Sequence, residues 1–276
     1  MRLDAHQHFW KYSPQDYGWI NDKMEVLRRD FLPKDLEPLL SAEGFEGSIA
    51  VQARQSLEET RWLLELAAHN EIVKGVVGWV DLRSPELSAQ LHQFAQNPKL
   101  VGVRHVVQDE PDDDFMLGSD FLRGIARLRE YDLAYDILIF PRQLPAAIKL
   151  VRQFPDQRFV LDHIAKPSIA DALMSPWDRG IQELAKSDNV CCKLSGMVTE
   201  ARWHDWKPED FRPYLDVVLH AFSPARLMIG SDWPVCTVSV PYSRAIALVR
   251  DYIGALTPDE QKSILGECCS RFYRVK

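Results

Sequence analysis

Apolar, β-branched runs recur along the chain, and segments of helical spacing lie between them. The first run is Arg2–Phe9, followed by Gly47–Ala53, Val73–Val80 and Leu100–Val106. Leu133–Ile139, Arg158–Ile164, Val190–Gly196 and Arg226–Asp232 complete the set. Their near-continuous apolar character predicts parallel strands buried on both faces. The gaps carry helix signals: Pro33-Lys34-Asp35-Leu36 opens one, and Glu58–Asn70, Ser84–Gln96 and Val240–Leu256 keep helical periodicity. Eight strand–helix units in about 250 residues predict an α/β fold, a (β/α)8 TIM barrel. A doubly wound open sheet is the rival, but no G-x-G-x-x-G follows the first strand. No linker breaks the pattern, so residues 1–276 read as one domain. Thr257–Tyr273 predicts an extra C-terminal helix. Thr257 would cap it, Pro258 suits its first turn, and Glu260 would close a capping box.

Two stretches are too irregular to be plain connectors. Trp10–Asp30 carries Trp10, Tyr12, Tyr17 and Trp19, and Met197–Lys207 carries Trp203, His204 and Trp206. Both follow strand C-termini, where barrel loops form the active-site mouth. They read either as aromatic lids over a small ligand or as loop packing.

Composition narrows the class. The 276 residues are 46% hydrophobic, with a net charge of -7. That supports a large core and argues against nucleic acid as a partner. The five cysteines are Cys191, Cys192, Cys236, Cys268 and Cys269, with no C-x-x-C. An odd count in a chain of this size predicts reduced thiols and a cytoplasmic protein. No secretory pattern opens the chain, and no apolar stretch reaches the roughly 18 residues of a membrane span. Homo-oligomerisation is left open.

The chemistry gathers at the predicted strand ends. His6 and His8 are two apart on the first strand, so both imidazoles face one spot, about 7 Å apart by the strand rise. Gln52 and Arg54 end the second strand, and Arg104 and His105 the fourth, where alternation makes the last two oppose each other. Asp136 lies in the fifth strand, Asp162-His163 and then Lys166 follow the sixth, and Lys193 and Ser195 the seventh. Ser231-Asp232-Trp233 closes the eighth. Polar residues repeated at one end of apolar strands are hard to explain as core, because a buried charge is costly unless paired or bound.

His-x-His on the first strand, a histidine late in the barrel and an aspartate ending the eighth strand resemble the amidohydrolase superfamily. The phrases LDHIAKP, CCKLSG and MIGSDWPV are similar to its sugar-lactonase branch, which includes L-fuconolactone and L-rhamnonolactone hydrolases. The resemblance runs from residue 2 to about residue 273 and departs from the superfamily in two places. The fourth strand lacks the lysine that bridges two metals, and the fifth strand offers Asp136 where a histidine is common. It therefore implies at most one divalent metal, held by His6, His8, His163 and Asp232. Zinc suits the histidines, and metal-free relatives make the ion dispensable.

The resemblance implies hydrolysis of a small sugar-acid lactone, an L-fuconolactone-like aldonolactone, to the aldonic acid. Asp232 would be the general base toward water, free or held by a metal; a turn aspartate before Pro234 is the plainer reading. His163, His6 and His8 would polarise the carbonyl, with or without the metal. Gln52, Arg54, Arg104, His105, Lys166 and Trp233 would bind substrate. Rim salt bridges compete with that role for the arginines, and core packing competes for Trp233 and Trp79. Asp136 reads equally as a hydroxyl binder or half of a buried ion pair. Two other functions fit the same residues: a single-zinc decarboxylase of an aromatic acid, and a barrel that binds a sugar acid without catalysis.

Overall fold

A computed structural model describes residues 1–276. Eight strands follow one another around a single parallel sheet in chain order. They are β1 (Leu3–Gln7), β2 (Gly47–Val51), β3 (Val73–Gly78), β4 (Leu100–Val106), β5 (Ala134–Leu138), β6 (Phe159–Leu161), β7 (Val190–Leu194) and β8 (Leu227–Ile229). A parallel bridge between Gln7 and Trp233 joins the last strand's extension to the first and closes the barrel. The bonds there are short: His8 N donates to Trp233 O at 2.7 Å, and Asp232 N to His6 O at 2.8 Å.

Helices α1 (Pro33–Glu43), α2 (Leu57–His69), α3 (Leu87–Phe94), α4 (Ser119–Leu128), α5 (Leu144–Gln153), α6 (Trp177–Leu184), α7 (Pro208–Phe222) and α8 (Tyr242–Ile253) alternate with the strands. Their buried stripes pack on the outer faces of the strands in one large apolar cluster. This is the predicted (β/α)8 barrel. Strands β6 and β8 are shorter than their apolar runs. The backbone turns at Asp162 and again after Ile229, so the chemically interesting residues sit in turns rather than in strand.

The predicted C-terminal helix is interrupted. Thr257 caps α9 (Pro258–Lys262) with Glu260 completing the capping box, as its sequence implies. A π-helical turn, Ser263–Glu267, then separates α9 from α10 (Cys268–Tyr273). The break falls at Gly266, where a Cβ would collide with the carbonyl oxygen of Met1. The start of the chain crosses there, and only a glycine admits it. Cys268, Cys269, Phe272 and Tyr273 then pack on Leu3, Ala5, Ile49, Val51, Val77 and Met228 as a second, smaller core. Each fully buried side chain of this kind contributes about 1.5–3 kcal/mol. The strand ends opposite the catalytic candidates are thereby sealed by the chain's own C-terminus.

Candidate active site

The floor of the site begins with a β-bulge. Asp4 pairs with Ser48, but Gln7 pairs with Ala50, so β1 spends one residue more than β2 over the same span. Such a bulge re-aims the side chains around it. Strict alternation would put Asp4, His6 and His8 on one face. Instead Asp4 turns outward to α8, accepting from Tyr242 Oη at 3.2 Å, while His6 turns inward to Arg104 and Lys193. The His6 and His8 Nε2 atoms lie 3.2 Å apart, far closer than the strand rise predicts. Asp4 also accepts from the backbone N–H groups of His6 (3.1 Å) and Ser231 (2.9 Å). It thus ties the histidine strand to the segment carrying Asp232. Burial raises its pKa to about 6 against these hydrogen bonds.

His163 and Asp232 complete the ring. Asp232 Oδ1 lies 3.3 Å from His8 Nε2, 3.8 Å from His6 Nε2 and 3.9 Å from His163 Nε2. The His163 ring centre is 4.4 Å from that of His6. His163, Ile164, Ala165 and Lys166 all have positive φ, between 48° and 61°, and Asp232 has φ 57°. Left-handed backbone costs a non-glycine residue about 1–2 kcal/mol, so five such residues at one site mark geometry held by its surroundings. Trp177 Nε1 donates to Ile164 O at 2.7 Å and clamps the turn from below. Gly196 is required beside it, because its φ is 63° and a Cβ would collide with His163 Nδ1. Ser195 Oγ meets that nitrogen at 2.9 Å.

The electrostatics divide the roles. Burial pulls His163 down to about 4, against the opposing pull of Asp232 and Asp162. Burial also takes His6 well below its ordinary value. Burial pushes Asp232 upward, but His163, His8 and His6 outweigh it and hold the carboxyl well below the usual range. At neutral pH the ring sets an ionised Asp232 carboxylate against the neutral imidazoles of His6 and His163.

Beneath the ring lies a fully buried ion network. Arg104 Nη1 donates to Asp162 Oδ2 at 2.9 Å and meets His6 Nε2 at 3.3 Å. Its Nη2 donates to Gln52 O at 2.5 Å and Gln52 Oε1 at 3.0 Å. Lys193 Nζ lies 2.5 Å from Asp136 Oδ2, 3.0 Å from Asp162 Oδ1 and 3.2 Å from His6 Nδ1. Burial lowers the Lys193 pKa, but Asp136 and Asp162 raise it further, so the ammonium is retained. Asp136 is half of a buried ion pair, and Tyr273 of the C-terminal seal donates to it at 2.7 Å. Sequence reasoning noticed Lys193 and Asp162 as polar residues in apolar strands but gave them no task. Their partners come from other strands, which spacing alone does not reveal.

A cavity of about 630 Å³ opens above the ring. His8, His163, Asp232, Arg104, Arg54 and Lys166 reach its wall. His6, Gln52, His105 and Trp233 do not; His6 is fully buried beneath His8 and Arg104. Gln52 lies behind Arg104 and holds it. His105 faces outward, its ring stacked on Phe115 and its Nε2 2.7 Å from Glu110 Oε1. Trp233 packs edge-on against Phe9 and Phe31, and Trp79 is likewise off the cavity. Both irregular loops do contribute: Asp16 and Trp19 from the first, Thr199, Glu200 and Trp203 from the second. Arg54 is ion-paired with Asp16, and Lys166 with Glu200 at 3.7 Å. The first loop is further anchored by Tyr17, whose hydroxyl donates to Glu59 Oε1 at 3.3 Å. Glu59 Oε2 accepts from the N–H groups of Ala53 and Arg54, and burial raises its pKa to about 7. No motif marked Asp16, Glu59 or Glu200 in advance.

The donor set fits a divalent metal. A tetrahedral zinc with bonds of about 2.0–2.1 Å needs ligand–ligand separations of roughly 3.3–3.4 Å. His6 Nε2, His8 Nε2 and Asp232 Oδ1 are 3.2, 3.3 and 3.8 Å apart. His163, expected as a further ligand, falls outside that triad: its nitrogen is 3.9 Å from Asp232 Oδ1, and it groups instead with His6 and Asp162.

A family model described as Amidohydrolase matches residues 3–275. An L-fucono-1,5-lactonase of Burkholderia multivorans is 42% identical over the whole chain and 96% of its own length. Another, from Burkholderia ambifaria, is 41% identical over 99% of this chain and 96% of its own. The crystal structure of a Burkholderia multivorans amidohydrolase with bound zinc superposes over the full length of both chains, with a TM-score of 0.96 at 42% identity.

Proposed function

The chain belongs to the amidohydrolase family, and from that premise we propose that it is a lactonase opening a small, uncharged sugar-acid lactone. The substrate would resemble L-fucono-1,5-lactone, after the full-length relatives at 41–42% identity. The observation that carries the reading is the ionised Asp232 set within 4 Å of three imidazoles under an open cavity. A carboxylate so placed is a general base.

In this reading water adds to the lactone carbonyl and Asp232 Oδ1 takes its proton. Donors on His163 and the Arg104 guanidinium, both on the cavity wall, stabilise the oxyanion that develops, with His6 behind them against His8. The ring C–O bond then breaks, Asp232 returns the proton to the leaving alkoxide, and the products are a free hydroxyl and a carboxylic acid that releases its proton to solvent. A divalent ion held by His6, His8 and Asp232 would supply Lewis-acid polarisation of the carbonyl.

Arg54 and Lys166, with Asp16 and Glu200 as their partners, would bind ring hydroxyls. Each cation on the wall already has a carboxylate partner, which favours a polyhydroxylated neutral ring over an anionic one. Gln52 would act through Arg104 rather than on substrate.

A panel of sugar 1,4- and 1,5-lactones, followed with a pH indicator, tests this. Proton release on L-fucono-1,5-lactone or a close stereoisomer is expected. Turnover confined to hydroxybenzoates with carbon dioxide as product, or ligand-induced stabilisation without turnover, would replace the lactonase with one of its rivals.

A further inference from the structure

We propose that Lys193 is a positioning residue that fixes the tautomer of His6, and that Asp162 offers the alternative tautomer that opens the histidine pair to a divalent cation.

The bonding inventory carries the argument. An ammonium has three N–H donors and no acceptor. Lys193 Nζ donates to Asp136 Oδ2 at 2.5 Å and meets His6 Nδ1 at 3.2 Å, while Asp162 Oδ1, 3.0 Å away, pairs with its charge but has no hydrogen-bond partner. Because the ammonium can only donate, its contact with His6 requires a bare lone pair on Nδ1, which places the His6 proton on Nε2. His8 supplies the matching acceptor. Its Nδ1 lies 2.8 Å from Val51 O, and a carbonyl only accepts, so the His8 proton is on Nδ1 and its Nε2 is bare. His6 Nε2–H then points at His8 Nε2 at 3.2 Å. A directed chain runs from Lys193 through both imidazoles to the β2 backbone.

The opposite arrangement is built into the same atoms. Asp162 Oδ1 is 3.3 Å from His6 Nδ1 and can accept a proton there. Nε2 would then be bare and could accept from Arg104 Nη1 at 3.3 Å. Two bare Nε2 atoms facing one another repel unless a cation sits between them. A carboxylate behind a histidine is also the usual support of a metal ligand. Lys193 and Asp162 therefore compete for one nitrogen. The ammonium favours an imidazole that donates a hydrogen bond, and the carboxylate favours one that binds metal. The tautomer does not depend on the lactonase reading; only its consequence for oxyanion stabilisation does.

Imidazole nitrogen spectra of the ¹⁵N-histidine-labelled, metal-free protein read the tautomer directly, with no substrate present. We expect His6 protonated on Nε2 and His8 on Nδ1. The double variant Asp136→Asn/Lys193→Met deletes one charge of each sign. It should move the His6 proton to Nδ1 and tighten zinc binding, measured by chelator competition, by about tenfold, the lower end of effects from groups behind a metal ligand. Wild-type protein with His6 protonated on Nδ1 overturns the proposal. So does a folded double variant with an unchanged tautomer, even if Lys193→Met alone tightens zinc, because that pattern is charge and nothing more. If neither variant folds, the wild-type spectrum alone decides.

Discussion

The two ends of the barrel are made from the same eight strands and obey opposite rules. At the sealed end, Leu3, Ala5, Ile49, Val51, Val77 and Met228 meet α10 with no ionised group among them. At the open end, a few residues further along, the barrel interior holds Arg104, Asp136, Lys193 and the imidazoles of His6 and His8, with Asp162, His163 and Asp232 in the turns that follow. The sealed end is stabilised by burial and does no chemistry. The open end accepts left-handed backbone, buried ions and histidines whose burial disfavours the protonated form. Tyr273, which donates to Asp136, and Val51, whose carbonyl accepts from His8 Nδ1, bridge the two. Stability and catalysis are therefore separable along one axis, and substitutions can test the separation.

The largest effect expected is on rate. Asp232→Asn should lower kcat/KM on the preferred lactone by at least about a hundredfold, the low end for a general base, with an unchanged circular dichroism spectrum. Near-normal turnover would remove Asp232 from the mechanism. At the other end, Met228→Ala should cost about 2–5 kcal/mol of unfolding free energy in a denaturant titration, with kcat/KM near wild type. If it slows the reaction as much as Asp232→Asn does, the two ends are not independent.

The smallest effect sharpens the boundary between site and lid. Glu59 titrates near 7 in the fold, against an ordinary 4.5. Its folded pKa is raised, so its stabilising contribution is complete below about 4.5 and is lost as pH rises to about 7. Thermal melts should show the midpoint falling across that window. Glu59→Gln should flatten the fall, with roughly 2–4 °C for each kcal/mol involved. An equal slope in the variant would assign the pH dependence to another group.

Much of this was legible in the sequence. Eight apolar runs were enough for the barrel, because a strand covered on both faces leaves little room for polar residues except at its functional end. That same scarcity exposed His6, His8, His163 and Asp232. What stayed hidden depends on pairing partners. The bulge between Asp4 and Gln7 exists only relative to β2, so strict alternation overestimated the separation of the two imidazoles. Alternation made Arg104 and His105 oppose each other without saying which faced inward. Trp233 is adjacent to Asp232 in sequence, yet its ring packs on Phe9 and Phe31. The C-terminal helix had a correct cap and periodic residues, but its break at Gly266 is dictated by Met1, at the far end of the chain.

The run of left-handed residues from His163 to Lys166 bears on how this protein can change. Ile164 and Ala165 are buried in the core, stay off the cavity wall, and hold a backbone shape that glycine would adopt without strain. At Ile164 a glycine would empty part of the core at a cost of about 2–5 kcal/mol, more than the strain it relieves. At Ala165 it removes a single methyl, so relief of the backbone and loosening of the neighbouring imidazole are more nearly balanced there. The scope for hardening the enzyme and the scope for slowing it therefore meet at Ala165.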